Sequence, residues 1–175
     1  MRSKCLHLVS TVALLGAALF VPAVALAATT AGADTSTATV TYAYSGTSTT
    51  FCTADGLTCT TSMTGTASTC TGSGCVTAPT SGDVSLNVQW PAGPVCPGGG
   101  SRQWPPSPIH ADWSDTTTSD ASVSGQLKGH RLTLTGTVSS GTFVGQTVTI
   151  PVTFKFPPNP CKLSSSTFTG SLAFG

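Results

Sequence analysis

From Asp83 to Trp90 the chain alternates strictly, with Val84, Leu86, Val88 and Trp90 apolar and Ser85, Asn87 and Gln89 polar. A period of two puts the four apolar side chains on one face of an extended strand, so this segment is predicted to be a half-buried strand. Val40, Tyr42 and Tyr44 repeat the pattern near the start of the chain. Ser122 to Ser139 reads as a hairpin with Lys128-Gly129-His130-Arg131 at its tip, because Gly129 at the first central position suits a type II′ turn. That turn fixes a register: Leu127 falls opposite Leu132, Gly125 opposite Leu134 and Val123 opposite Gly136, large against small on the apolar face. Thr147 to Phe156 sets Val148, Ile150, Val152, Phe154 and Phe156 on one face, and Ser166 to Phe174 does the same with Phe168, Gly170, Leu172 and Phe174. Pro151 has no N–H for a ladder, so its strand is expected at a sheet edge or at a bulge. Together these segments predict a single-domain, all-β, antiparallel fold over residues 40–175, either a β-sandwich or a small β-barrel.

Composition agrees, since all six acidic residues are aspartate and threonine and serine are abundant. Threonine fits a pleated, half-buried surface and loses rotamer freedom in a helix, so little or no helix is expected beyond the leader. The N-terminus is read as that leader. Arg2 and Lys4 precede an apolar stretch, Leu6 to Val21, and Ala25-Leu26-Ala27 has the small-x-small pattern of a cleavage site, giving a signal peptide over 1–27. Residues 28–39, rich in Ala, Thr and Ser, read as a flexible mature N-terminus. Secretion into an extracellular, oxidising space is the expectation.

Cys5 leaves with the leader, and the six remaining cysteines suit three disulfides. Asp55-Gly56 is a type I′ turn signal that places Cys52 opposite Cys59, within bridging distance. Cys70-Thr71-Gly72-Ser73-Gly74-Cys75 is a tight Gly-rich loop whose ends can close, which leaves Cys96 for Cys161. Pairing Cys59 with Cys70 across Thr64-Gly65 would strand Cys52 and Cys75. A zinc site is disfavoured because no CxxC occurs, so neither metal nor cofactor is expected.

Residues 91–109, rich in Pro and Gly and flanked by Trp90, Trp104 and Trp113, are expected to form a long irregular loop. Trp104, stiffened by Pro105 and Pro106, either stands outward as a stacking platform for a ligand or covers an open edge, while Trp90 and Trp113 end strands at the core rim. The candidate ligand-binding residues are thus Trp104, Arg102, Trp90 and Trp113. The sequence His110-Ala111-Asp112-Trp113-Ser114-Asp115 gathers an imidazole and two carboxylates, the one local setting for acid–base chemistry. In an extended strand His110 and Asp112 share a face, yet Asp115 also suits an ordinary polar turn. Arg102, on the loop beyond Cys96, is the residue a protease inhibitor would present.

After the leader the basic residues are only Arg102, Lys128, Arg131, Lys155 and Lys162. No patch can be built from so few charges, so neither nucleic acid nor membrane is expected as a partner once the leader is removed. The run from Gly129 through Leu132, Leu134 and Gly136 to Val138, with the closing segment Cys161 to Phe174, resembles small secreted β-proteins of high-GC Gram-positive bacteria. The resemblance implies an exported barrel-like or sandwich domain and carries no site residues across. The functional expectation is a secreted, non-catalytic module, structural or ligand-binding and monomeric, whose partner is cell-wall glycan or another extracellular protein. A hydrolase using His110, Asp112 and Asp115, or a protease inhibitor presenting Arg102, is the alternative.

Overall fold

The computed structural model describes residues 38–53, 58–90, 101–158 and 164–175. The expected leader, most of the 28–39 stretch, the Asp55-Gly56 turn and the Cys96–Cys161 pair lie outside the described residues.

The strands follow in chain order as β1 (Val40–Cys52), β2 (Cys59–Thr71), β3 (Gly82–Trp90), β4 (Ser101–Trp113), β5 (Thr118–Lys128), β6 (Arg131–Gly141), β7 (Thr147–Phe154) and β8 (Ser164–Phe174), with one 3-10 turn at Ser73–Val76. Each pairs antiparallel with the next, and β8 returns to β1, closing a barrel. Closure leaves no strand edge to protect, which a sandwich would. Glycines inside the strands let neighbouring backbones approach closely where the sheet curls: Gly46 pairs with Gly65, and a Cβ on Gly46 would collide with the Thr64 carbonyl.

The alternating pattern sends one set of side chains inward. Tyr42, Met63, Trp104, Leu132, Leu134, Phe154 and Phe168 are fully enclosed in a single core. At one end Phe143 stacks on Phe174, with centroids 4.2 Å apart, and meets Trp113 edge-on. The outward positions of β1 and β2 are mostly threonine and serine. That polarity is the reverse of a membrane-spanning barrel, whose lipid-facing wall is apolar.

The β5–β6 hairpin has the expected register, with Leu127 opposite Leu132, Gly125 opposite Leu134 and Val123 opposite Gly136. Gly129 sits at φ 56°, the left-handed region that the first position of the turn requires. Cys52 is bonded to Cys59, with Cα atoms 4.0 Å apart, and Cys70 to Cys75, 5.8 Å apart.

Three expectations are corrected. The irregular loop does not extend over 91–109, because Ser101 to Ile109 belongs to β4. Pro105 and Pro106 are accommodated there as a bulge, the register to β5 passing from Trp104–Gly125 to Ser107–Val123. Pairing of β4 with β3 runs from Trp113 only as far as Ile109, so Pro105, Pro106 and Pro108 interrupt no ladder on that side. Pro151 lies neither at an edge nor at a bulge: it is opposite Thr133 on β6 in an unbroken register. The missing donor is absorbed by a lapse in pairing towards β8 between Thr149–Ala173 and Val152–Gly170. Phe156 is 60% exposed rather than inward, because β7 ends at Phe154 and the Phe156 N–H donates to the Ser166 hydroxyl before Pro157 and Pro158.

Candidate functional site

The three tryptophans are core residues. Trp104 is completely buried and stands edge-on to Trp90, centroids 5.0 Å apart, so it offers no outward platform. The reason is the bulge: its indole falls on the inward parity of β4, where burying so large an apolar surface outweighs exposure. Trp90 donates from Nε1 to Thr61 Oγ1 at 2.8 Å, and Trp113 from Nε1 to Ser119 Oγ at 2.8 Å. Nε1 of Trp104 has no hydrogen-bond partner among the described residues. Arg102 is half-buried within β4, opposite Leu127, and is therefore not carried on a protruding loop.

Of the residues singled out for acid–base chemistry, the structure brings His110 and Asp112 together and leaves Asp115 apart. His110 and Asp112 share the outer face of β4, Nε2 lying 3.2 Å from Asp112 Oδ1. Asp115 accepts hydrogen bonds from the Thr117 hydroxyl at 2.6 Å and the Thr117 N–H at 3.1 Å, which hold its carboxyl below the usual range. It is an ordinary turn aspartate.

The partner that the sequence reading missed is Asp120. It lies directly across from His110 on β5, and its Oδ1 is 2.6 Å from His110 Nδ1. Ser140 on β6 donates to its other oxygen at 2.8 Å. Counting back across the turn between Trp113 and Thr118 pairs 110 with 120 once residues 101–113 form a strand. The Asp120 hydrogen bond first, then the one from Asp112, raises the imidazole above its ordinary value. Reciprocally, the His110 and then the Ser140 hydrogen bonds lower Asp120. With a carboxylate at each ring nitrogen, the imidazolium is the form that satisfies both. When protonated, the ring donates from both nitrogens and has no free lone pair, whereas the remaining carboxylate lone pairs are open to donors.

Beside this triad the outer wall is indented where β3 and β4 part company, beyond the Leu86–Ile109 pair. The open groove has a volume of about 410 Å³, and Ser85, Asn87, Pro106, Pro108, His110 and Asp120 line it. Further along, Asp83 and Asp112 are register partners, like charges facing each other, with Asp83 accepting from the Thr66 hydroxyl at 3.3 Å. Among the described residues no group of three or more His, Cys, Asp or Glu side chains has metal-binding geometry. Comparison with protein-family models, curated proteins and solved structures gave no match.

Proposed function

We propose that the protein is an exported, non-catalytic binding barrel whose groove between β3 and β4 takes a hydroxyl-rich ligand, a short stretch of cell-surface glycan. The observation that carries this reading is the groove's lining. The rings of Pro106 and Pro108 supply an apolar surface, while the Asn87 amide, the Ser85 hydroxyl and the Asp120 carboxylate supply directional hydrogen bonds. Small-ligand sites combine these two elements at volumes of about 300–1,000 Å³. Engagement of His110 at both nitrogens favours binding over acid–base turnover, and the two disulfides suit an oxidising compartment.

Retention on insoluble glycans, with the ring resonances of His110 followed by NMR during titration with soluble oligosaccharides, tests the reading. Tryptophan emission is a poor reporter here, since all three indoles are buried. Binding that weakens in Asn87→Ala and Asp120→Ala is the expected result. No retention and no shift across a broad panel would remove it.

A further inference from the structure

Among the described residues the barrel sorts charge in a way that the linear order hides. Because successive strands run antiparallel, odd-numbered strands end and even-numbered strands begin at one rim, and the other termini share the opposite rim. Arg102 lies at the start of β4, Lys128 ends β5, Arg131 begins β6 and Lys155 follows β7, so every described lysine and arginine lies at the first rim. Asp83, Asp112, Asp115 and Asp120, the described carboxylates, all lie towards the second. Three connections, the start of β4, the β5–β6 turn and the end of β7, bring these four cations to one edge of the barrel.

Lys128, Arg131 and Lys155 are exposed and form no ion pair with a described carboxylate. Their rim also carries two exposed phenylalanines, Phe51 and Phe156, each 60% accessible. Thr50 pairs with Ser164, and the Phe156 N–H bonds the Ser166 hydroxyl, so the two residues stand on either side of the start of β8. The Lys155 ammonium lies 5.8 Å from the centre of the Phe156 ring. Around the arc from β1 through β8 to β5 the described rim residues are thus Phe51 on β1, Lys155 and Phe156 after β7, Arg131 on β6 and Lys128 on β5.

A partner for this arc must present anions with an apolar layer behind them. A soluble polyanion gives the phenylalanines nothing. On the opposite rim of a second copy Asp112 and Asp120 share His110, which offsets part of their charge when protonated, so that rim is a weaker anionic surface than a sheet of lipid phosphates. We propose that the basic rim docks the barrel on an anionic lipid bilayer, with Lys128, Arg131 and Lys155 at the phosphate headgroups and Phe51 and Phe156 at the acyl boundary. The hydroxyl-rich wall stays in water, so attachment is peripheral and leaves the groove on the side of the barrel accessible. This inference is independent of the glycan reading, since its test measures lipid.

The test is sedimentation of the full chain with vesicles of phosphatidylglycerol and phosphatidylcholine in equal parts, against vesicles of phosphatidylcholine alone. Whatever the apolar N-terminal stretch contributes is common to all variants, so the comparison lies between them. One basic side chain near an anionic surface is worth about a fivefold change in partitioning. The triple variant Lys128→Gln/Arg131→Gln/Lys155→Gln is therefore expected to bind anionic vesicles about a hundredfold more weakly, with little change on neutral ones. Phe51→Ser/Phe156→Ser is expected to lose roughly tenfold, from reduced apolar insertion. Asp83→Asn, at the other rim, is a control expected to bind at least as well as the unmodified chain, and far-UV circular dichroism verifies the fold of each variant. Equal binding by all variants overturns the proposal. A loss that follows the cations but ignores the phenylalanines assigns the rim to a soluble polyanion instead. Self-association abolished by the same substitutions, without vesicle binding, assigns it to a second copy.

Discussion

Replacing each tryptophan by phenylalanine in turn separates burial from hydrogen bonding in this core. The substitution removes the same atoms at all three positions, so the transfer and cavity contributions are similar and largely cancel in the comparison. What differs is the indole N–H. In Trp90→Phe the buried Thr61 hydroxyl loses its donor and keeps only Thr50, 2.8 Å away. In Trp113→Phe the Ser119 hydroxyl loses its donor and keeps only its own bond to the Thr142 carbonyl. In Trp104→Phe no hydrogen bond is lost, and a buried, unpartnered donor disappears. An orphaned buried polar group costs about 1–3 kcal/mol, and because both hydroxyls retain one partner the lower half of that range, about 1–2 kcal/mol, applies. Trp104→Phe should therefore be the least destabilising of the three by that margin. With a urea dependence of about 2 kcal/mol per molar, its unfolding midpoint should lie roughly 0.5–1 M above the other two. Far-UV circular dichroism is the appropriate signal, since fluorescence changes with the number of indoles. A Trp104→Phe midpoint equal to or below the other two would show that the Trp104 N–H is satisfied in solution and would refute the reasoning.

The His110 ring should titrate above its ordinary value of 6.5 when followed by NMR, and Asp120→Asn should lower the midpoint more than Asp112→Asn, since Asp120 is the larger cause. Because the folded value is raised, this contribution to stability is complete below pH 6.5 and declines as pH rises through the folded value; because Asp120 is lowered from 3.8, its contribution is complete above that value and is lost as pH falls through the lowered one. The unfolding midpoint should thus fall on the alkaline side in the native protein and stay flat there in His110→Asn; an equally steep decline in that variant would show that the triad is not the cause. Peptide mapping without reduction should recover Cys52–Cys59 and Cys70–Cys75, and each double replacement by alanine should cost about 2 kcal/mol in denaturant melts. Gly136→Ala should cost about 1–3 kcal/mol or more, since its Cβ would strike the Ser122 carbonyl, whereas Gly129→Asn, at a turn with open space, should change stability by less than about 1 kcal/mol; comparable urea midpoints would contradict the close-approach argument.

Local periodicity determined most of the strands in this chain. Val84, Leu86, Val88 and Trp90 face inward because alternation along a strand is a property of the backbone alone, and the β5–β6 register followed from one glycine with positive φ. The two short disulfides were legible for the same reason, each closing a short loop whose geometry is set by nearest neighbours. Closure into a barrel rather than a sandwich was not legible, because it depends on β1 meeting β8, a pairing between the two ends of the domain that no local pattern encodes. Proline content misled over residues 101–109, where a bulge and the absence of a β3 ladder make Pro105, Pro106 and Pro108 acceptable in a strand. The candidate site divides along the same line. His110 and Asp112 are two residues apart and share a face by sequence, whereas Asp120 joins them only through the register across β4 and β5, and Ser140 only through β6. Charge behaves likewise: five scattered cations carry no message in linear order, and antiparallel winding brings Arg102, Lys128, Arg131 and Lys155 to one rim, because only the tertiary path decides which chain ends become neighbours.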